Sequence, residues 1–255
     1  MGKVDSKEVG LEIGLLLTRF FFNSEDLHFG YWPDGTPTDM STISKAQTNH
    51  SNLIFSHIPD GVKNILDVGS GSGELAKKLI DKGYSVDCVS PSSFLSDTIQ
   101  SKLPPQSTLY RTTLEDLETD HRYDLIIFSE SFQYVNIQSG LSKCAHLLKH
   151  HGHLLIFDFF SIETDSKSPL RGGHKISKFL EAINQFPFEN IIDLDVTKET
   201  APTIGILDKL LTEFLIPSKD LSAKYLSSNF PIVTKFIKWK LKKRIAKINR
   251  VYMCG

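Results

Sequence analysis

The chain is poor in sulfur and in tryptophan: its 255 residues include three cysteines, three methionines and two tryptophans. Cys88, Cys144 and Cys254 have neither metal-type spacing nor the even count of a disulfide framework, so they read as small buried apolar residues in a reducing compartment. No run of about 18 apolar residues exists, which leaves no candidate membrane span. Leu11 to Phe22 is apolar but interrupted by Glu12 and Arg19, and it has no basic leader and no small-residue cleavage site, so it does not read as a signal peptide. The net charge of −1 excludes a global field that would steer the protein to nucleic acid. Histidines are scattered, no His/Asp/Glu set has ligand spacing, and no metal is expected. Internal repeats and low-complexity stretches are absent too. With 40% apolar and 23% charged residues, the expectation is a soluble, cytoplasmic globular protein with one large core.

The most informative stretch is Ile65-Leu66-Asp67-Val68-Gly69-Ser70-Gly71-Ser72-Gly73-Glu74. A short apolar run meets an acid and then three glycines at every second position, the pattern of a buried strand turning sharply into a helix under a ligand. Glycine allows positive φ and close backbone approach, and the following helix offers free N-terminal amides. Two other glycine loops are excluded. A dinucleotide fingerprint needs a third glycine where Glu74 stands, and a phosphate-cradling loop needs a lysine after its last glycine. Asp67 would repel a pyrophosphate but could hold a cation.

The surrounding pattern is α/β. Strands are expected at 64–68, 84–89, 108–111, 123–128 and 152–159, with helices at 74–82, 93–102 and 138–149 between them. Such alternation implies right-handed βαβ units in one mostly parallel sheet, with ligands beyond the carboxyl ends of the strands. Upstream, 8–22 reads as an amphipathic helix, and 40–58 as a second helix capped by Ser41 or Thr42. Between them Leu27 to Gly35 is dense in aromatics with no helical or strand period. It is either a packed covering loop or a lid over the site.

D-x-G-x-G-x-G after an apolar strand resembles the first motif of the class I S-adenosylmethionine-dependent methyltransferases. The resemblance covers 64–160, extends more weakly over 27–58 and 186–210, and ends near 215. It implies a Rossmann-like class I methyltransferase fold with helices on both faces and a helical N-terminal cap. The domain plan is a cap or lid over 1–60, a core over 61–215, and a basic C-terminal helix with an edge strand over 216–255. It also implies S-adenosyl-L-methionine as cofactor, with Asp67, Gly69, Ser70, Gly71 and Gly73 beneath it. The ribose-binding acid expected after the second strand is replaced by Ser90, followed by Pro91, and a hydroxyl cannot match the charged hydrogen bonds of a carboxylate. Ser92 or a water could make up part of the difference. Leu114 and Glu115 fall on the adenine-side loop, with Asp116 close behind.

The fourth strand ends in Ser129-Glu130-Ser131-Phe132-Gln133-Tyr134, polar where the site should open. This row resembles that of tocopherol- and sterol-type C-methyltransferases, as does the late segment Asp193 to Thr203. The implied roles put Ser129 and Glu130 beside the cofactor, with Glu130 orienting the acceptor or acting as its base and Gln133 and Tyr134 nearby. Tyr31 and Trp32 would close over the sulfonium, whose charge favours aromatic faces. His174 is either a further catalytic group or a loop residue bonded to backbone.

The expected activity is methyl transfer to a small, partly apolar acceptor. A non-catalytic or partner-activated domain is the alternative that Ser90 favours, and another enzyme on the same fold, such as an aminopropyl transferase, is a third. Nucleic-acid methylation is not expected, because the Asn/Asp-Pro-Pro-aromatic motif is missing. Eight Lys/Arg and no acid lie between Lys235 and Arg250, either as a solvated helix face or as a contact with anionic lipid.

Overall fold

The computed structural model describes residues 6–162, 173–230 and 235. Five parallel strands form the central sheet: β1 (Asn64–Val68), β2 (Ser85–Val89), β3 (Leu109–Tyr110), β4 (Tyr123–Ser129) and β5 (Leu148–Phe157). Their spatial order is β3-β2-β1-β4-β5, so the chain runs outward from β1 to one edge and then returns to β1's other side. The strand order reverses between β1 and β4, and the crevice beyond their carboxyl ends is where an open α/β sheet binds its ligand.

Why the strands are buried on both faces follows from the period of two. Ile65, Leu125 and Ile127 face one side, where they pack with Leu75 and Leu79 of α3 (Glu74–Asp81) and with Leu95 and Ile99 of α4 (Ser93–Gln100). Leu15 of α1 (Ser6–Phe22) and Ile54 of α2 (Ile43–Ser56) join the same layer. Leu66, Val68, Ile126 and Phe128 face the other side, against Leu141, Cys144 and Leu147 of α5 (Ile137–Leu147) and against Ala182 of α6 (Ile176–Ile183). Burying each such side chain is worth about 1.5–3 kcal/mol, which makes the two layers the main support of the site above them. Cys88 and Cys144 are free and buried, as expected, while Cys254 lies outside the described residues.

Three details differ from the sequence reading. The N-cap of the second helix is Thr42, one of the two expected residues, but its side chain makes no capping bond there, and Asp39 caps the turn that leads into the helix. Asp39 Oδ1 accepts from Ser41 N at 2.8 Å while its own N–H donates to Thr42 Oγ1, and a 3-10 turn over Met40–Thr42 leads into α2. A carboxylate one turn earlier makes the capping bond because it is a charged acceptor. β5 starts at Leu148, directly after α5, and its pairing with β4 shifts between Tyr123 and Leu125. His151 takes φ 62 there, a local irregularity that hid the strand's first half in the sequence pattern. Ser92 is unavailable to a ribose: its Oγ accepts from Leu95 N as the N-cap of α4 and donates to Glu8 Oε2 on α1.

Beyond the main sheet, β6 (Phe160–Ser161) and β7 (His174–Lys175) form a two-stranded ladder. A short helix α7 (Thr197–Thr200) precedes α8 (Pro202–Lys209), a π-helical turn (Leu210–Leu215) and α9 (Ile216–Asn229). The chain divides into two compact units, residues 1–202 and 203–255. The helical segment 1–60 belongs to the first unit together with the sheet, and the second unit begins earlier than residue 216. Within the described residues no helix is long and apolar enough to cross a membrane. The expected edge strand over 250–254 and the basic run from Lys235 to Arg250 lie outside the described residues, apart from Lys235 itself.

Candidate cofactor and acceptor site

At the carboxyl end of β1 the backbone turns through Gly69, Gly71 and Gly73 with φ of 72, 54 and 83. Gly69 has a second reason to be glycine: a Cβ there would stand 2.4 Å from Ser131 Cβ, so the loops after β1 and β4 abut with no room for a side chain. Ser131 Oγ donates to Val68 O and ties the same two loops together. Ser70 Oγ donates to Asp67 O at 2.9 Å, and Gly73 stands at the N-terminus of α3. Lys102 bridges Glu74 and Glu25 beside this turn, holding the start of α3 against the segment leaving α1.

Asp67 is 1% exposed, and its Oδ2 has no hydrogen-bond partner. Burial pushes its carboxyl up to about 7. An orphaned buried carboxylate oxygen beneath a turn of positive-φ glycines is a site waiting for a donor or a cation.

Glu130 follows β4 at φ 56, in the left-handed region that a non-glycine residue rarely takes. Both of its carboxylate oxygens accept from Phe29 N, at 2.9 and 3.1 Å, so the aromatic loop is fastened to the sheet at this residue. Burial raises its carboxyl to about 7 despite the His28 charge and the Phe29 bond, and Asp158 adds to the rise. Gln133 lies next to it, its N–H donating to Asp158 Oδ2 and its Nε2 reaching Glu130 O at 3.4 Å. Ser129, also part-exposed, accepts or donates through Oγ to His50 Nε2 at 3.1 Å.

The other sequence-predicted residues spread more widely. Tyr134 is 79% exposed on a 3-10 turn. His174 Nε2 bonds to Phe132 O and Val135 O, and its ring meets Phe132 edge-on. It holds the turn that carries Gln133 and Tyr134. Ser90 is buried at the end of β2 with its N–H donating to Tyr110 O, and Pro91 beside it is exposed. Leu114 side chain is core, and Glu115 Oε1 accepts from Asn136 N at 2.9 Å.

The aromatic loop is bonded to α2 and α7 and joined to the sheet at Glu130. Trp32 is buried with its ring against the bare Cα of Gly30, where a Cβ would lie 2.7 Å from it. Its Nε1 reaches Thr42 Oγ1 and its backbone N–H donates to Glu199 O, which fastens the loop to α7. Tyr31 N donates to Ala46 O, and Asn49 holds Tyr31 O. The residues of this loop nearest the site are different ones: Leu27 lies 3.9 Å from where a Gly71 Cβ would stand, and Phe29 meets both Glu130 and Phe159.

Sequence reasoning also missed His28 and His50, stacked at 4.0 Å, with Asp26 and Lys78 behind them. Gln47 on α2 donates to Asp26 O and His28 O and so fixes the strip they sit on. The signal for His50 was its helical spacing from Ile43, Ala46 and Ile54, which sets it on the buried face of α2. Among the described residues no group of three or more His, Cys, Asp or Glu is arranged to hold a metal ion. A cavity of about 370 Å³ lies at the opposite, amino-terminal edge of the sheet, lined by residues such as Asn64, Ser85 and Tyr123, and none of the motif residues reaches it.

The glycine turn and the buried acid thus stand at the β1/β4 switch point, where open α/β sheets bind their ligands. Residues 65–152 match a family model described as a methyltransferase domain. A ubiquinone biosynthesis O-methyltransferase of Rickettsia felis is 28% identical over 167 residues, covering 61% of this chain and 62% of the relative. An uncharacterized methyltransferase of Mycobacterium tuberculosis is 26% identical over 97 residues, covering 38% of this chain and 40% of the relative. The chain thus spans less than two thirds of these relatives. Among solved structures, geranyl diphosphate C-methyltransferase from Streptomyces coelicolor, in complex with S-adenosyl-L-homocysteine, superposes with a TM-score of 0.66 at 14% identity, over 82% of this chain and 89% of that one. The [4+2]-cyclase SpnF shares the fold as well, with a TM-score of 0.63 at 17% identity, over 84% and 85%. Residues 65–152 thus match a methyltransferase domain, and the fold is one that solved methyltransferase structures share.

Proposed function

We propose that the protein binds S-adenosyl-L-methionine over the Gly69–Gly73 turn and transfers its methyl group to a small, partly apolar acceptor. The observation that carries this reading is the buried, unpartnered Oδ2 of Asp67 beneath that turn. When bound, the cofactor supplies an activated methyl on a sulfonium, so positioning and exclusion of water make up most of the protein's contribution. Asp67 would hold the positive amino-acid end, and the backbone from Gly69 to Gly73 would leave room for the rest. Ser90 would meet the ribose with one neutral hydrogen bond, and the loop at Leu114 and Glu115 would border the base. Phe29 and Leu27 would close the site on the side of the aromatic loop, and Glu130 would be the carboxylate that finally takes the acceptor's proton.

Calorimetric titration with S-adenosylmethionine and S-adenosylhomocysteine tests this, on wild type and on Gly71→Arg. Micromolar binding that the substitution abolishes is the expected result. Silence with both ligands at millimolar concentration would instead favour the second reading, a non-catalytic or partner-activated domain in which Ser90 marks lost affinity. Contact of the Lys235 to Arg250 segment with an anionic membrane surface, and a cytoplasmic location, remain part of the same proposal.

A further inference from the structure

His28 and His50 stack with centroids 4.0 Å apart and planes 24° from parallel, and both are buried. Both ring nitrogens of His28 face oxygen: Nε2 stands 3.2 Å from Asp26 Oδ1 and Nδ1 stands 2.8 Å from Phe29 O. The Asp26 contact is an ion pair by distance and not an aligned hydrogen bond, and the nearby carboxylates favour the charged ring, so His28 is the imidazolium of the pair. Burial works against that charge, and the Asp26 carboxylate more than offsets it. Lys78, 2.7 Å from Asp26 Oδ2, keeps that carboxylate ionised in turn. His50 is held neutral, first by its burial and then by the charge stacked on it.

A neutral imidazole has one N–H and one lone pair. His50 Nε2 lies 3.1 Å from Ser129 Oγ, and His50 Nδ1 has no hydrogen-bond partner and points toward Glu130 Oε1 at 3.8 Å. The three side chains therefore line up as hydroxyl, imidazole and carboxylate. The 3.8 Å gap exceeds a hydrogen bond, but such contacts commonly tighten only when substrate is in place. His50 has no exposure and Ser129 and Glu130 are both part-exposed, but both Glu130 oxygens are engaged by Phe29 N, which leaves Ser129 as the end of the line for an acceptor.

We propose that Ser129, His50 and Glu130 form a proton relay serving an acceptor hydroxyl, which makes the acceptor an alcohol, phenol or enol. This deepens the methyltransferase reading and rests on it. The acceptor's O–H proton passes to Ser129 Oγ, the Ser129 proton to His50 Nε2, and the His50 Nδ1 proton to Glu130. Meanwhile the acceptor oxygen's lone pair forms the new O–CH3 bond and the methyl–sulfur bond breaks with its electrons left on sulfur. The sulfonium charge and the Glu130 charge disappear together, leaving a neutral thioether, a neutral carboxylic acid and a methyl ether. Ser129 is the group that touches the acceptor; His50 and Glu130 act through it.

Nitrogen NMR of histidine-labelled protein at mildly alkaline pH reads the tautomer directly, with the His50 signals assigned by their loss in His50→Gln. The relay requires His50 with its proton on Nδ1 and none on Nε2. A proton on Nε2, or a doubly protonated ring, overturns it, because Ser129 could then pass nothing inward. No cofactor is needed for this measurement, so its failure is separable from a failed titration with S-adenosylmethionine. Once the cofactor binds, methyl transfer to at least one member of a panel of phenols, enols and alcohols is expected. A silent hydroxyl panel with cofactor bound removes the acceptor assignment.

Discussion

Two carboxyl groups at the site, Asp67 and Glu130, are held protonated to about pH 7 by burial, against ordinary values of 3.8 and 4.5. The folded chain therefore keeps protons that the unfolded chain has already released. Stability is unaffected below the unfolded values, falls as pH rises from about 4 to 7, and is flat again above the folded values. His50, kept neutral by burial, contributes the opposite slope below its unfolded value, so the decline is read as the difference between urea melts of wild type and of the carboxyl variants, on the order of a few kcal/mol in total. Relative to wild type, Asp67→Asn and Glu130→Gln should each gain stability as pH rises from about 4 to 7, and variants whose difference from wild type stays constant over this interval would be the contrary result. Gly69 offers a steric test at the same scale. Gly69→Ala should cost about 2–4 kcal/mol, because its Cβ would overlap Ser131 and its backbone is in the left-handed region. The denaturation midpoint reports it. Of the residues themselves, the glycines and Asp67 were legible in the sequence because a local turn dictates them. The stacking of His28 on His50 was not, since they meet only when the aromatic loop lies along α2.

At the scale of elements, Ser92 has a definite role as the N-cap of α4 and as the partner of Glu8 on α1. Ser92→Ala should therefore destabilise by about 1–2 kcal/mol without weakening cofactor binding. If calorimetry showed a matching loss of affinity, Ser92 would be a binding residue after all. A double-mutant cycle with Glu8→Gln should reveal coupling, since Glu8 Oε2 also accepts from Phe94 N. The strands and helices of the core were legible to within a few residues because apolar runs, turns and glycines punctuate them. The start of β5 was hidden by Lys149 to Gly152, a polar stretch with one residue at positive φ that carries no strand alternation. The role of the aromatic loop was not legible from sequence, because its contacts are long-range ones: Trp32 packs on Gly30, while Phe29 bonds to Glu130.

At the scale of the whole molecule, ligand binding and surface attachment are the measurable properties. A ligand that binds only the folded state stabilises it by mass action, about 2.7 kcal/mol at a hundredfold excess over Kd. S-adenosylhomocysteine should accordingly raise Tm by several degrees in wild type and leave Gly71→Arg unmoved, as differential scanning fluorimetry would show. The run from Lys235 to Arg250 carries eight of the 29 basic residues, which leaves the remainder of the chain with 21 against 30 acids. If that segment rests on anionic lipid, replacing Lys242 and Lys243 by Gln should lower partition onto phosphatidylserine vesicles by about 5–30-fold, at about 1 kcal/mol per charge. Equal pelleting of both proteins would count against the membrane contact.

The alternation of strands and helices, the glycine turn after the first strand and the acid beneath it could all be read from the amino-acid order. All of these are local: a period of two, a positive φ and a run of apolar residues need no distant partner to be recognised. Which polar residues meet depends on the folded chain. Phe29 on Glu130, His50 beside Ser129 and Glu130, and His28 on His50 join positions separated by about a hundred residues or by a loop and a helix. A charge, a tautomer or a raised carboxyl pKa is a property of such a meeting and not of any one residue, because burial and neighbouring charge set it.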